Sequence, residues 1–468
     1  MKNRYRYLAE NVFVFGVGNV LSKVVSFFLL SVFTQYLTPG EFGDAEIIIS
    51  TISLLVPILT LCIADAVMRF ILGKEDIEIV TTIGIVITLL GCGLSLLLSP
   101  IALFSSFVSK YYIFIFLLFA LNSFEQLLFN VDKGLEKVKV CALNSLVGVV
   151  ALIASSYYFL VCKNLGIHGY LISILLSHFC CCIYLFLFGK VYSFIHVKKY
   201  DKSVAKAMLL YSIPFVPSTI TWWLNSVSDR YLIVFFLGSA YNGLYSAASK
   251  IPNIITIITS IFHQAWTISG IKEYDGKAYS VFYSNIYNVF SASIFISCSV
   301  LILFSQQIGN LLFKGDFGTS WRYVPFLIGG ALFSSLCGML SPAYMASKQT
   351  GKLMMSTVAG AVVNILINLA FLFKWGLQVA AISTFISFVV TWIIRWKLSK
   401  RIVELDLNLP IFIISVSIVL LQSIILLSTY YYRFYLCSFL CLFLVVLNII
   451  TILPYLRKLV DIKDKLNQ

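Results

Sequence analysis

Six charged residues lie where charge is costly. Lys23, Asp65, Glu125, Asp229, Arg230 and Lys250 all fall inside long apolar stretches. A charge held at mid-membrane costs at least about 2.5–3.5 kcal/mol on insertion scales, so such residues face a bundle interior or a watery cavity. Arg230 and Lys250 flank the short segment Leu237–Gly243 at equal spacing, so in a helical hairpin they share a depth. An Asp229–Arg230 or Asp229–Lys250 ion pair is the plain structural account, yet one carboxylate cannot neutralise two cations. The surplus, together with Lys23 and its polar stripe Asn19, Ser22 and Ser26, points to a cationic lumen. Arginine offers a planar fork for phosphate oxygens and lysine a point charge, so a phosphate or an acidic sugar is the natural guest.

The two remaining carboxylates suit a different task. Asp65 and Glu125 lie nearer one end of their spans, where pairing with Arg69 or Lys133 would be structural. A carboxylate in a low-dielectric cavity can instead carry a proton. Moving one charge through 100 mV yields about 2.3 kcal/mol, so a proton or sodium gradient could drive a cycle. No cofactor or metal is expected. The 11 cysteines sit mostly in apolar spans, including Cys180–Cys182, and no two CxxC pairs stand at metal spacing. No Walker loop, HExxH or serine–histidine–aspartate grouping is present, which argues against an enzyme and against direct ATP drive. Trp222, Trp223 and Trp266 share helices with the charged cluster and could stack on sugar rings or anchor those helices. His263, beside Gln264, reads as a helix-to-helix hydrogen bond.

The elements that must position these residues are membrane helices. Of 468 residues 60% are hydrophobic and 12% charged, against roughly 25% charged in soluble domains. Apolar runs of spanning length recur from Asn11 to Pro454. They lack the period-two alternation of a membrane barrel, so they are helices. About 14 are expected, over about 11–36, 43–67, 80–104, 111–131, 140–162, 166–189, 208–236, 241–270, 282–305, 323–346, 354–373, 376–396, 411–429 and 434–454. The net charge of +14 is topogenic rather than a mark of nucleic acid: most Lys and Arg fall at the termini and in the loops of one face. By the positive-inside rule both termini are cytoplasmic. The basic start, Met1–Glu10, precedes a run too long for a signal peptide and reads as leading into a retained first helix.

The basic stretch Lys190–Lys206, with Lys198, Lys199 and Lys202 inside it, reads as a linker between two six-helix lobes. A second basic break, Arg395–Arg401, is expected after helix twelve. The domains are then 1–200, 201–400 and 401–468, the last holding helices thirteen and fourteen and a tail. YLTPGEFG at Tyr36–Gly43 and FLGSAYNG at Phe236–Gly243 form a faint repeat between corresponding helices. Six helices per lobe make the repeat parallel, as in some alternating-access transporters. Pro57, Pro214, Pro217, Pro252 and Pro342 fall inside spans and are expected to kink them.

Two blocks carry a family resemblance. GVGNVLSKVVSFFLLSVFTQYLTPGEFG, within Asn11–Asp44, resembles the opening of the polysaccharide transporters, the Wzx-type O-antigen and capsule repeat-unit flippases. PFVPSTITWWLNSVSDRYLIVFFLGSAYNGLYSAASKIP, Pro214–Pro252, is similar to that family's helix seven and eight signature, at Asp229–Arg230–Tyr231, Leu237–Gly238, Gly243, Tyr245 and Lys250. The resemblance implies the fold of the multidrug, oligosaccharidyl-lipid and polysaccharide exporter (MOP) superfamily: a two-lobe, V-shaped all-α bundle with a central cationic cavity. It implies flipping of an undecaprenyl-pyrophosphate-linked oligosaccharide, an O-antigen (lipopolysaccharide) or capsule precursor, to the outer leaflet of a bacterial inner membrane. Lys23, Arg230, Lys250 and Asp229 would bind the head group, with Glu125 and Asp65 as coupling groups. A polysaccharide polymerase and a chain-length regulator would be partners, beside membrane lipids. Lipid II flippases share the plan but carry more arginines in the first lobe's cavity, and the superfamily's drug and sodium antiporters bear a helix-one carboxylate that this chain lacks. These two remain the alternative readings.

Overall fold

A computed structural model describes residues 23–97, 100, 106–196, 199–272, 276–347, 349–400 and 402–466; for 264–265, 268–272, 276–278 and 454–466 it describes the backbone alone. The basic amino terminus, Asn19 and Ser22 of the polar stripe, the start of the first span, Lys198 and Arg401 lie outside the described residues. Among the described residues every regular element is helical. Among the described residues twelve helical stretches are long and apolar enough to cross a membrane, against the fourteen expected, and Lys23–Tyr36 and Asn253–His263 are shorter apolar helices. The protein is an all-helical membrane protein. Its contacts divide it into two compact units, Met1–Val227 and Ser228–Gln468, with the boundary inside one helix.

The first unit begins, as described, with α1 (Lys23–Tyr36). Next come α2 (Pro39–Leu59), α3 (Ile63–Leu72), α4 (Ile77–Leu97), α5 (Ser106–Gly134), α6 (Val138–Ser156), α7 (Gly166–Phe188), α8 (Lys202–Ser212) and the start of α9 (Phe215–Leu237). The repeat motif at Thr38–Glu41 is a capping box. Thr38 Oγ1 accepts from the Glu41 amide, and Glu41 Oε2 accepts from the Thr38 amide at 2.9 Å. Glu41 also accepts from the Ile167 amide at 3.3 Å, at the turn that opens α7. Gly166 has φ +55° there, and a Cβ would run into the Glu41 carboxyl. One glutamate thus ties two distant turns together.

The expected second span over 43–67 is divided. Pro57 has no amide hydrogen to donate, and α2 stops two residues later at Leu59; Leu61 and Cys62, both at φ 54°, turn the chain into α3. Pro214 separates α8 from α9 in the same way. The linker is shorter than the sequence implies, because Lys202 and Lys206 lie on α8. Asp201 caps α8, its carboxylate accepting from Ser203 N at 2.7 Å and Val204 N at 3.3 Å. The Ser203 hydroxyl, which donates to the same carboxylate at 2.8 Å, and then the two amides hold the carboxyl below its usual range. Lys199 and His196 meet Glu78 at 2.7 and 3.2 Å, pinning the linker to the start of α4. Ile63, Val67, Ile83, Leu127, Leu185 and Met208 make a buried core among α3, α4, α5, α7 and α8.

The second unit takes the end of α9, then α10 (Ser239–Ser249), α11 (Asn253–Lys272), α12 (Gly276–Leu303), α13 (Ser305–Leu312), α14 (Val324–Ala346), α15 (Thr350–Trp375), α16 (Gln378–Ser399), α17 (Leu409–Leu427) and α18 (Arg433–Leu466). Pro252 breaks the eighth span between α10 and α11, whereas Pro342 sits within an uninterrupted α14. Gly360 lets α15 close on α16: a Cβ there would collide with the Thr391 hydroxyl.

Arg395 corrects the sequence reading. It does not open a basic break after helix twelve; it lies on α16 and is only 9% exposed. Its guanidinium donates to Ser356 Oγ (2.8 Å), Thr357 Oγ1 (2.7 Å) and the Cys337 carbonyl (3.1 Å), stapling α14, α15 and α16. Its side chain is long enough to turn inward from the helix end, which a hydropathy count cannot show.

Candidate functional site

The end of α9 carries Asp229 into a polar node of the second unit. Asp229 is 7% exposed and its partners are neutral. Tyr245 Oη on α10 donates to Oδ2 at 3.0 Å, and Thr384 Oγ1 on α16 donates to the same oxygen at 2.7 Å. Asn368 Nδ2 on α15 donates to Oδ1 at 2.9 Å. Asn364, Asn368 and Ser383 extend the network, the Asn368 amide also reaching Asn364 Oδ1 at 3.1 Å and Ser383 Oγ at 2.9 Å. The Asn368 carbonyl oxygen is buried without a donor. Four helices therefore converge on one carboxylate, whose two oxygens are both hydrogen-bonded.

Asp229 and Tyr245, both in the resembling block, are thus brought together. Arg230 follows on α9 and acts electrostatically on Tyr245. Lys250 caps the end of α10, where Pro252 interrupts the span. Asn364, Asn368 and Thr384 were not singled out by the sequence reading. Their signal was present: two asparagines four residues apart share one face of an otherwise apolar helix.

The first unit has its own polar group. Glu125 on α5 meets His178 on α7, with Nδ1 and Oε2 2.5 Å apart, and accepts from Asn144 Nδ2 on α6 at 3.2 Å. The pairing of Glu125 with Arg69 or Lys133 is replaced by this histidine, which lies a membrane-span away in sequence and was not foreseen. Lys133 is instead the cation that acts on Asp65. Asp65 is exposed, and Lys23 is exposed at the start of the described part of α1. Glu46 on α2, 2% exposed, is a further buried carboxylate the sequence reading passed over.

The tryptophans divide. Trp223 Nε1 donates to the Ser50 carbonyl at 2.9 Å and Trp266 Nε1 to the Met339 carbonyl at 3.0 Å, so both are buried helix-to-helix ties. Trp222 is 66% exposed. His263 packs its ring against Phe290 and over Gly338, where a Cβ would clash. Among the described residues no group of three histidine, cysteine or acidic side chains could hold a metal ion.

Residues 8–268 match a protein family described as polysaccharide biosynthesis protein. The probable low-salt glycan biosynthesis flippase Agl15 of Haloferax volcanii is 25% identical over 206 residues. That match spans 42% of this chain and 43% of the relative's length. An inward-closed structure of the lipid II flippase MurJ shares the fold at a TM-score of 0.67 and 14% identity, covering 93% of this chain and 98% of that one. An inward-facing multidrug resistance MATE transporter of the MOP superfamily gives a TM-score of 0.65 at 12% identity, over 84% and 100% of the two chains.

Proposed function

The chain belongs to the polysaccharide biosynthesis protein family, and we propose that it is a lipid-linked glycan flippase of the MOP superfamily. Its cargo is an undecaprenyl-pyrophosphate-linked oligosaccharide repeat unit, an O-antigen or capsule precursor. It moves this cargo by alternating access from the cytoplasmic to the outer leaflet of a bacterial inner membrane, with both termini cytoplasmic. The observation that carries the reading is the family match, which runs through the Asp229–Lys250 block where cations lie within membrane helices.

Lys23, Arg230 and Lys250 are the cations we assign to the anionic part of the head group. A guanidinium and ammonium groups replace the water that a pyrophosphate gives up. Asp229 holds α10, α15 and α16 around α9 and so positions Arg230. A proton or sodium gradient supplies the drive, with Glu125 and Asp65 as the groups that respond to it. A polysaccharide polymerase and a chain-length regulator then take over the delivered unit. The likeness to MurJ over nearly the whole chain favours a lipid II-type precursor as the second reading.

The test is to delete the chromosomal copy and extract lipid-linked oligosaccharides. An undecaprenyl-linked glycan held on the cytoplasmic leaflet, with surface polysaccharide lost, supports the reading. Lost drug or ion efflux with unchanged surface polysaccharide overturns it in favour of an antiporter. Complementation with Lys23→Gln, Arg230→Gln or Lys250→Gln should fail although each variant reaches the membrane. Full complementation by all three removes the assigned binding role.

A further inference from the structure

Glu125 and His178 meet through a hydrogen. The carboxylate oxygen and the imidazole nitrogen lie 2.5 Å apart, and the hydrogen between them is supplied either by the Nδ1–H of a neutral imidazole or by an added proton that the pair shares. Glu125 and His178 are on different helices, and Asn144 donates to the other carboxylate oxygen from a third. That neutral donor fixes the carboxyl while leaving the contested proton to the pair. The side chains are 20% and 26% exposed, whereas Asp229 is buried.

We infer that Glu125 and His178 form a one-proton binding site of the first unit, loaded and emptied once per transport cycle. Loaded, the pair carries one proton beyond the N–H of a neutral imidazole and is neutral overall, as imidazolium beside carboxylate or as imidazole beside carboxylic acid. Emptied, the neutral imidazole donates its Nδ1–H to the carboxylate, and the net charge is −1. The neutral form is favoured inside a membrane protein, because an uncompensated charge there loses its hydration. Release therefore needs an environment that solvates or neutralises the carboxylate, which a change of conformation can supply. Its place in the cycle rests on the flippase reading above; the site itself does not.

Titratable and charged groups lie on each element packed against the pair. α2, α3, α4, α6, α7 and the turn Val191–Phe194, which follows Lys190, pack against α5; the turn Tyr157–Cys162 packs against α7; and α5 and α7 themselves carry Lys110 and His168. The packed helices bring Glu41, Asp44 and Glu46 on α2, Asp65 and Arg69 on α3, Glu78 at the start of α4 and Lys139 at the start of α6. Asp132 and Lys133 lie at the end of α5 itself, and Lys137 just before α6. The thiols of Cys181 and Cys182 on α7 are close enough to act on Glu125. Cys181 Sγ donates to the Asn144 carbonyl and Cys182 Sγ to the Leu121 carbonyl, so both stay as thiols while histidine and glutamate exchange the proton.

Two measurements on the full chain in lipid test this. With [15N]histidine labelling, the four histidines are followed by NMR against pH, and His178→Gln assigns the resonance. His178 should show a hydrogen-bonded proton on Nδ1, and its ring resonances should move in Glu125→Gln. His178 resonances unchanged in Glu125→Gln overturn the pair. The second measurement uses proteoliposomes loaded with a pH-sensitive dye and supplied with lipid extract from the deletion strain. Substrate-dependent proton movement should slow at least tenfold in Glu125→Gln and in His178→Gln, and return in Glu125→Asp, which keeps a carboxyl. Wild-type rates in both neutral variants, or no proton movement by the wild type, overturn the role. Glycan reaching the outer leaflet is scored separately in the same vesicles, so failure of the flippase reading is told apart from failure of the proton site.

Discussion

Replacing Asp229 by alanine and by asparagine should give two different answers. The carboxylate takes three hydrogen bonds, from Tyr245, Thr384 and Asn368. Bonds to a charged group are worth about 1.5–3 kcal/mol each, but the loss is not their sum. Thr384 Oγ1 can fall back on the Ala380 carbonyl at 2.9 Å, and the Asn368 amide on Asn364 and Ser383. Only Tyr245 must turn wholly to Thr384, 3.1 Å away. Removing a buried charge also recovers its desolvation penalty. Asp229→Ala should therefore cost about 2–4 kcal/mol, roughly 4–16 °C in melting temperature for a unit of this size. Asp229→Asn keeps the shape. Its new amide would face the Asn368 amide, but Asn368 can flip and present its carbonyl oxygen, which has no donor now. Its cost should stay within about 1 kcal/mol. Thermal unfolding in detergent, followed by tryptophan fluorescence, reads both. If asparagine destabilises as much as alanine, the charge rather than the hydrogen-bond geometry holds the node and this reasoning fails.

Arg395→Ala should destabilise by about 2–4 kcal/mol, since the Cys337 carbonyl, Ser356 and Thr357 lose a shared donor. Arg395→Lys should recover less than half of that, because an ammonium cannot span three helices as a fork does; a wild-type melting temperature for the lysine variant would contradict the staple. For Asp201, the carboxyl is held below its usual range by the bonds of the cap, so its contribution is fully present above the unfolded value of about 3.9 and is lost as pH falls through the folded one. Protection of the Ser203 and Val204 amides against hydrogen exchange should therefore weaken in strong acid. Asp201→Ala should lower it already at pH 6, and equal protection in the two proteins at that pH would exclude the cap.

Spans were legible because a membrane helix is announced by composition alone: nothing but length and apolarity is needed to place it. Breaks within spans were half legible. Proline marked the divisions at Pro57, Pro214 and Pro252, but the identical signal at Pro342 leaves α14 intact. What decides is whether neighbouring helices satisfy the freed carbonyl, and that is tertiary information. The same holds for the polar residues. Asp229 was visible as an intramembrane charge, and Tyr245 as part of a motif. The asparagines that satisfy the carboxylate are uncharged and so made no mark on a charge count. His178 was hidden for a further reason: its meaning comes only from Glu125, and nothing in a single sequence pairs two positions on separate helices. Arg395 was misplaced because a basic residue near a helix end looks the same whether it points to water or inward.

Asp229 and Glu125 are met in opposite ways, and the difference has a physical consequence. Asp229 is met by a phenol, a hydroxyl and an amide, none of which changes charge near neutral pH. That node can hold α9, α10, α15 and α16 in one arrangement, but it cannot report on pH through its own partners. Glu125 is met by an imidazole, the side chain whose ordinary titration range brackets neutrality. A coupling group must change its protonation or ligation during the cycle, whereas a group that positions a binding cation must not. The identity of the partner, rather than that of the carboxylate, therefore separates the two tasks. Exchanging His178 for glutamine should turn the Glu125 arrangement into the Asp229 kind: Glu125 would keep a neutral amide partner, its helices would stay tied, and transport-linked proton movement would be lost.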